Sequence, residues 1–227
     1  MRKTIIFTMA YSRNNTREIL PEPTLRRLPW YLAYVSMLNS RNVEFVSSTQ
    51  IAKDLNVDSS QIAKDLSFLN IKGKTRIGYE VKTLELVLQD FLGFKEIHNA
   101  VMIGVGSLGA ALIHDSGLSR YGLNIVAGFD IDPSIVGTRI CDIPIYHISD
   151  LELRRDSLNA EIGIIAVPVD QAQNVAELTV ATGIKALWNF TPSRIKLTDD
   201  IVVQNTSIYS HLAVMYNRLD SQSQRER

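Results

Sequence analysis

The sequence predicts an α/β protein: an N-terminal winged helix-turn-helix domain, then a Rossmann-type doubly wound parallel sheet, then a C-terminal helix. Three observations predict it. An apolar strand, Val101-Met-Ile103, runs straight into Gly104-Val-Gly106-Ser-Leu-Gly109, and a second, Val126 to Asp132, ends in carboxylates about twenty residues on. Ahead of both, two short capped helices and a basic hairpin follow a longer amphipathic helix. The charge divides the same way. Residues 1–82 hold thirteen Lys and Arg against seven Asp and Glu, and residues 83–227 hold eleven against seventeen. A basic first part joined to an acidic second part points the first toward a polyanion.

Residues 1–20 are polar and aperiodic, and read as a flexible arm. The winged-helix domain is expected over 21–82. After Pro21-Glu-Pro23, a helix from Thr24 to Ser40 carries Leu25, Leu28, Leu32, Val35 and Leu38 as one buried stripe, with Pro29 positioned to shift its start or bend it. Ser47-Ser-Thr-Gln50 is a capping box for a short helix through Leu55, and Asp58-Ser-Ser-Gln61 caps a third helix with Ile62, Leu66 and Leu69 inward. That third helix presents Ser59, Ser60, Gln61 and Lys64 on its outer face, where Gln reads an adenine edge and Ser and Lys serve bases or phosphates. Lys72 to Val81 reads as the wing, with Lys74, Arg76 and Tyr79 toward the DNA backbone. Ser48, Arg26 and Arg27 complete the DNA-binding candidates, solvated helix-face charge being the alternative for the two arginines. The partner implied is double-stranded DNA. A helical domain that contacts protein is the other reading of this part.

A linking helix is expected within 83–98, and the Rossmann domain over 99–205. In the glycine loop, Gly104 allows a tight turn, Gly106 admits a pyrophosphate, and Gly109 lets the next helix approach the sheet. Val105, Ser107 and Leu108 complete the loop, and the helix opening near Ser107 turns its unpaired N–H groups toward the phosphates. Asp130 is placed to accept from the adenosine ribose hydroxyls. Its charge repels a 2′-phosphate, which favours NAD (NADH and NAD+) over NADP(H). Ile131 adjoins it; Asp132 either assists at the ribose or caps the turn before Pro133. Further strands are expected at Asp142–Ile145, Ile162–Val167, Ala186–Asn189 and Ile201–Val203. Helices are expected from the Ser149 cap to Asp156, from Pro168 to Thr182, and from Thr206 to Leu219. Residues 206–227 thus read as a C-terminal helix and tail, with Leu212, Met215, Tyr216 and Leu219 on one side.

Several classes are excluded. The single cysteine, Cys141, forms no internal disulfide and no cysteine zinc site, and it reads as a small core strand residue, a redox-sensitive thiol being the alternative; Trp30 and Trp188 read as packing residues. His98, His114, His147 and His211 lack metal-ligand spacing, so no metal is expected. No apolar run reaches about eighteen residues, and no signal segment opens the chain, so a cytoplasmic protein away from membranes is expected. The sheet uses every segment from Ala100 to Val203. No substrate domain remains and no histidine has an orienting carboxylate at a fixed offset, so no catalytic residue is assigned. A small NAD-dependent oxidoreductase and a nucleotide-binding interaction module stand as alternatives to a regulator.

The chain resembles the Rex family of redox-sensing transcriptional repressors. The resemblance rests on Gln61-Ile-Ala-Lys64-Asp-Leu66-Ser, Arg76-Ile-Gly78-Tyr79, Gly104 to Gly109, Phe129-Asp-Ile-Asp-Pro133-Ser-Ile-Val-Gly137, Ala166-Val-Pro168 and Gly183 to Pro192. It implies a homodimer with exchanged C-terminal helices that binds operators at low NADH/NAD+ ratio and adopts a closed arrangement with NADH. It also places the nicotinamide near Val167, Pro168, Asn189 and Phe190, with Ile208 and Tyr209 of the partner subunit. The sequence departs from the family pattern at Ala63 and Thr75, where Arg is usual. It departs again at Ala33, Asp115 and Ser207, where the resemblance expects Arg, Tyr and Asp in a network coupling cofactor to DNA.

Overall fold

The computed structural model describes residues 20–225, so the expected arm lies, apart from Leu20, outside the described residues. The chain divides into two units between Leu92 and Gly93. In the first, α1 (Glu22–Ser40) begins earlier than Thr24 because Pro23 fits its first turn, where an N–H has no partner anyway. The helix runs on through Pro29. Its buried positions are Thr24, Leu28, Tyr31, Leu32, Tyr34 and Val35. Leu25 and Trp30, expected to pack, are instead 40% and 63% exposed. Tyr31 and Tyr34 take the inward face, and Trp30 sits roughly 200° round the helix from Leu28.

Strand β1 (Phe45–Val46) precedes α2 (Ser48–Leu55), whose cap Ser47 accepts the Gln50 N–H at 3.0 Å. Asn56 turns the chain in the left-handed region (φ +52°). Asp58 then caps α3 (Ser59–Ser67) by accepting the Ser60 N–H at 2.7 Å. Strand β2 (Tyr79–Glu80) pairs antiparallel with β1, and Gly78 passes so close beneath it that a Cβ would lie 2.3 Å from the Val46 carbonyl oxygen. Helix α4 (Val81–Leu92), expected to link the halves, packs along α1 and is joined to it by Asn39 donating to Glu85 at 2.5 Å. It is part of the first unit.

The second unit runs β3 (His98–Ile103), α5 (Ser107–His114), α6 (Ser116–Arg120), β4 (Leu123–Asp130), β5 (Arg139–Ile140), β6 (Ile143–His147), α7 (Leu151–Leu158), β7 (Ile162–Ile165), α8 (Ala172–Ala181), β8 (Ala186–Asn189), β9 (Val202–Asn205) and α9 (Ile208–Arg225). The sheet order is β5-β6-β4-β3-β7-β8-β9, parallel except for the β5–β6 hairpin. Side chains alternate across β3. Val101 and Ile103 join Phe129, Leu151 and Ala176 on one face; Ala100 and Met102 join Ile113, Ile145 and Ile164 on the other. Helices therefore cover both faces, and a fully buried Phe129 or Ile103 contributes about 1.5–3 kcal/mol.

Cys141 corrects an expectation. It is exposed, at φ +46° beside Asp142 at φ +64°, because the chain reverses there between β5 and β6. Ser149 does not cap α7 either; it lies in a 3-10 turn where its N–H donates to the His147 ring. In α9, Ile208, Tyr209, Val214, Met215, Tyr216 and Leu219 are all exposed.

Within the first unit, α3 is held to α1 by one buried carboxylate. Asp65 is 0% exposed and accepts from Thr24 Oγ1 (3.0 Å), Arg27 Nε (2.6 Å) and Nη2 (2.8 Å), Tyr31 Oη (2.8 Å) and Gln61 Nε2 (2.9 Å). Burial alone would raise its pKa, but the bonds from Arg27, Tyr31, Gln61 and Thr24 outweigh burial and hold it below the ordinary carboxylate range. Burial, and then the bond to Asp65, push Tyr31 upward. Asp65→Ala would leave Arg27 facing an apolar gap and is expected to destabilise this unit by about 3–5 kcal/mol in urea unfolding. Because the folded pKa lies below the unfolded value of about 3.9, the stabilisation is complete above that value and is lost as pH falls through the folded one. An acid titration by circular dichroism is expected to show this loss in the parent chain and not in Asp65→Ala.

Candidate functional site

In the second unit the carboxyl ends of four adjacent strands form a stair. Gly104 N–H donates to the Phe129 carbonyl (2.9 Å), Ala166 N–H to Ile103 (2.8 Å) and Phe190 N–H to Ile165 (2.9 Å). The chain leaves β3 toward β4 on one side, while β7 lies on the other, so the stair sits where strand order reverses. Open α/β sheets bind ligands at this point.

The glycine loop is shaped by contact. Gly104 has φ +87°, and a Cβ there would lie 2.6 Å from the Ala166 carbonyl oxygen and 2.8 Å from Val167 Cγ1. At Gly109 a Cβ would lie 2.1 Å from the Gly104 carbonyl oxygen, so only glycine lets α5 come so near the strand end. Gly106 differs: a Cβ there meets nothing within 4 Å, in a backbone conformation open to any residue. Its surroundings are open space in front of the first turn of α5, which has no side-chain cap. Ser107 and Leu108 are exposed on that turn, and Val105 is buried beneath it. Unpaired N–H groups bordering open space are the arrangement that receives a phosphate.

Asp130 ends β4. Its Oδ2 accepts the Val105 N–H at 2.6 Å, and its Oδ1 accepts those of Ile131 (2.7 Å) and Asp132 (3.0 Å). A carboxylate has about four acceptor positions, so a lone pair on Oδ2 is left for a ribose hydroxyl. Asp132 is engaged as the turn cap, accepting the Ser134 N–H at 2.8 Å, and this bond holds its pKa low. Ile131 points outward, exposed.

The positions placed by resemblance separate. Val167 is half-buried against Gly104, Pro168 is exposed, and Phe190 is half-buried with its ring 4.6 Å from that of Trp188. Asn189 is a correction. Its side chain is buried and turned into the fold, donating to Ser193 O (2.7 Å) and Asn205 Oδ1 (2.9 Å) and accepting from Thr191 N–H (2.9 Å). It shapes the β8–β9 connection, with both amide hydrogens engaged there. Ile208 opens α9 with half its surface exposed. Three positions that depart from the family pattern serve local structure or none. Asp115 caps α6 by accepting the Gly117 N–H at 3.0 Å, Ser207 accepts the Ser210 N–H at 3.3 Å, and Ala33 is an exposed methyl.

In the first unit, Ser59, Ser60, Ala63 and Lys64 are exposed on α3 opposite Ile62, Asp65 and Leu66, with Gln61 at the border. Ser48 is half-buried at the start of α2, and Tyr79 is half-buried on β2, where burial raises its pKa. Arg76 stands exposed at the tip of the hairpin with φ +65°, a strained conformation for a long side chain. Lys74 lies over the Phe45 ring at 4.6 Å. Arg27 turns its guanidinium onto Asp65, engaging Nε and Nη2 there. Arg26 pairs with Glu22 at 2.6 Å on the surface. Asp65 itself went unread in the sequence, although an acid between Ile62, Leu66 and Leu69 on a buried stripe is a detectable anomaly.

Two family descriptions match the chain: "Putative DNA-binding protein N-terminus" over residues 19–67 and "CoA binding domain" over residues 95–193. The chain is similar to the redox-sensing transcriptional repressor Rex of Bacteroides thetaiotaomicron, at 59% identity over 201 residues, covering 88% of this chain and 91% of the relative. It is 54% identical to that of Porphyromonas gingivalis over 202 residues, 89% of this chain and 93% of the relative. Among solved structures, it is similar to RSP in complex with β-NAD+ and operator DNA, with TM-score 0.86, 32% identity and coverage of 92% and 96%. Against RSP in complex with β-NADH the TM-score is 0.83, with 31% identity and coverage of 92% and 98%.

The contrast between two glycines gives a clean test of the cradle. Gly106→Ala fits the folded chain and is expected to leave the melting temperature unchanged while weakening dinucleotide binding by about tenfold or more, since the methyl occupies the phosphate space. Gly104→Ala is expected to lower the melting temperature as well. Calorimetric titration alongside thermal denaturation of both variants checks the pair.

Proposed function

The chain belongs to the Rex family of redox-sensing transcriptional repressors, and from that membership we propose that it represses transcription according to the NADH/NAD+ balance. It is a regulator rather than an enzyme. Its cofactors are NADH and NAD+, bound at the glycine loop of the second unit. The observation that carries this reading is one chain uniting an open, uncapped α5 start beside Asp130 with an exposed Ser-Lys helix face, bordered by Gln61, and a basic hairpin.

The site residues divide the work. Gly106, Ser107 and the first-turn N–H groups of α5 receive the pyrophosphate, and Asp130 takes the ribose. The nicotinamide supplies the signal, because its oxidised ring carries a charge that the reduced ring lacks. Val167, Pro168 and Phe190 offer apolar surface, which disfavours an unpaired cation. On the other unit, Ser59, Ser60, Gln61 and Lys64 face the major groove, while Lys74 and Arg76 lie along phosphates. Since both nucleotides bind, only the difference between their affinities for the two arrangements of the protein shifts the equilibrium.

We further propose that the protein works as a homodimer in the cytoplasm, where its operator lies. The exposed Ile208, Tyr209, Met215, Tyr216 and Leu219 of α9 support this, since they share one side of the helix. No metal-ligating cluster occurs among the described residues, and no helix there is long and apolar enough to cross a membrane.

Three measurements test the proposal. Calorimetry is expected to give tighter binding of NADH than of NAD+; equal affinities would reject an NADH sensor. A gel shift on the region upstream of the chain's own gene is expected to show a complex that weakens with salt and with NADH. Replacing Met215 and Tyr216 together by Glu is expected to halve the particle mass in light scattering and to abolish binding to a palindromic duplex.

A further inference from the structure

Gln61 lies one turn before Asp65 on α3, and its Nε2 donates to Asp65 Oδ1 at 2.9 Å. A side-chain amide has two orientations that fill the same space, with oxygen and nitrogen exchanged. Here one of them is excluded: an ionised carboxylate only accepts hydrogen bonds, so the nitrogen must face it. Nor can the carboxylate turn to follow the amide. Asp65 is fully buried and is gripped by both arms of the Arg27 guanidinium, by the Tyr31 hydroxyl and by the Thr24 hydroxyl. Arg27, Tyr31 and Thr24 all belong to α1, so the orientation of a side chain on α3 is set from the neighbouring helix.

We propose that Asp65 is a positioning residue for sequence readout: it fixes the Gln61 amide so that an N–H and a C=O stand side by side toward an adenine edge. The proposal rests on reading α3 as the helix that enters the major groove. Nε2 carries two hydrogens; with one donated to Asp65, the other is left for a base edge. Adenine offers N7 as acceptor and N6 as donor in the major groove, which matches that pair. Guanine offers two acceptors there, so Oε1 would face O6 and be repelled. An amide free to turn over would lose part of this discrimination. The same geometry accounts for the inward turn of Arg27, whose role is to hold Asp65.

The test uses the full chain and a duplex selected by it from a randomised pool, with A-to-G changes made at each position in turn. The parent is expected to show one position per half-site where the change weakens binding about ten- to a hundredfold. Gln61→Leu is expected to flatten that position and leave the others alone. Asp65→Asn is expected to flatten the same position, and the double variant to be no flatter than Gln61→Leu. A uniform loss of affinity in Asp65→Asn with the A-to-G ratio intact would make Asp65 merely structural and overturn the proposal, as would unchanged ratios in Gln61→Leu. Failure to select any duplex removes the DNA-binding reading itself, and the proposal with it.

Should Asp65→Asn not fold, the parent chain decides alone. One Gln61 Hε2 resonance, identified by its loss in Gln61→Leu, is expected downfield and slow to exchange in the absence of DNA. Two resonances at unstructured-peptide positions would overturn the proposal.

Discussion

A missing methyl group organises the second unit. Gly109 lies so near the Gly104 carbonyl that no other residue fits, and that contact draws the start of α5 down onto the carboxyl end of β3. The rest of the cradle follows. With α5 in place, Gly106 faces open space and Val105 N–H reaches Asp130 across the gap from β4. The loop is therefore shaped before any ligand arrives, by a backbone-to-carboxylate bond at one end and close packing at the other. A preset loop adds no ordering cost at binding, so more of the interaction with phosphate appears as affinity.

The first unit is organised by charge instead. Three donor side chains of α1 converge on Asp65, whose pairing keeps α3 at a defined height above its supporting helix. Such a buried pair seldom stabilises a fold more than apolar residues of equal volume would. What it offers here is a single geometry for the exposed face of α3. The two units thus use contrasting means, close packing in one and saturated hydrogen bonding in the other, to hold a surface ready.

Most of the architecture was legible in the sequence because the signals were local and periodic. The Ser47 and Asp58 caps, the Gly104 to Gly109 loop, Asp130 at its strand end and the all-apolar β7 each announce themselves within a few residues. What escaped depended on distant partners. Nothing near Arg27 reveals that a carboxylate thirty-eight positions away claims it, and nothing near Asn189 reveals Ser193 and Asn205 closing around its amide. Cys141 misled for a different reason: its neighbours alternate like a strand, while Asp142 beside it shares the left-handed turn that reverses the chain. Trp30 misled because aromatic side chains usually pack, whereas here Tyr31 and Tyr34 already fill the inward face of α1.

The chain's two tryptophans divide between the two units, one in each. Trp30 stands mostly in water, while Trp188 is half-buried on β8 beside Phe190, its indole N–H donating to Thr206 at 2.9 Å. Their emission spectra therefore differ in wavelength, and a single fluorescence scan carries separate records of how each half melts. The protein comes supplied with its own pair of optical labels, one at either end of the message it transmits.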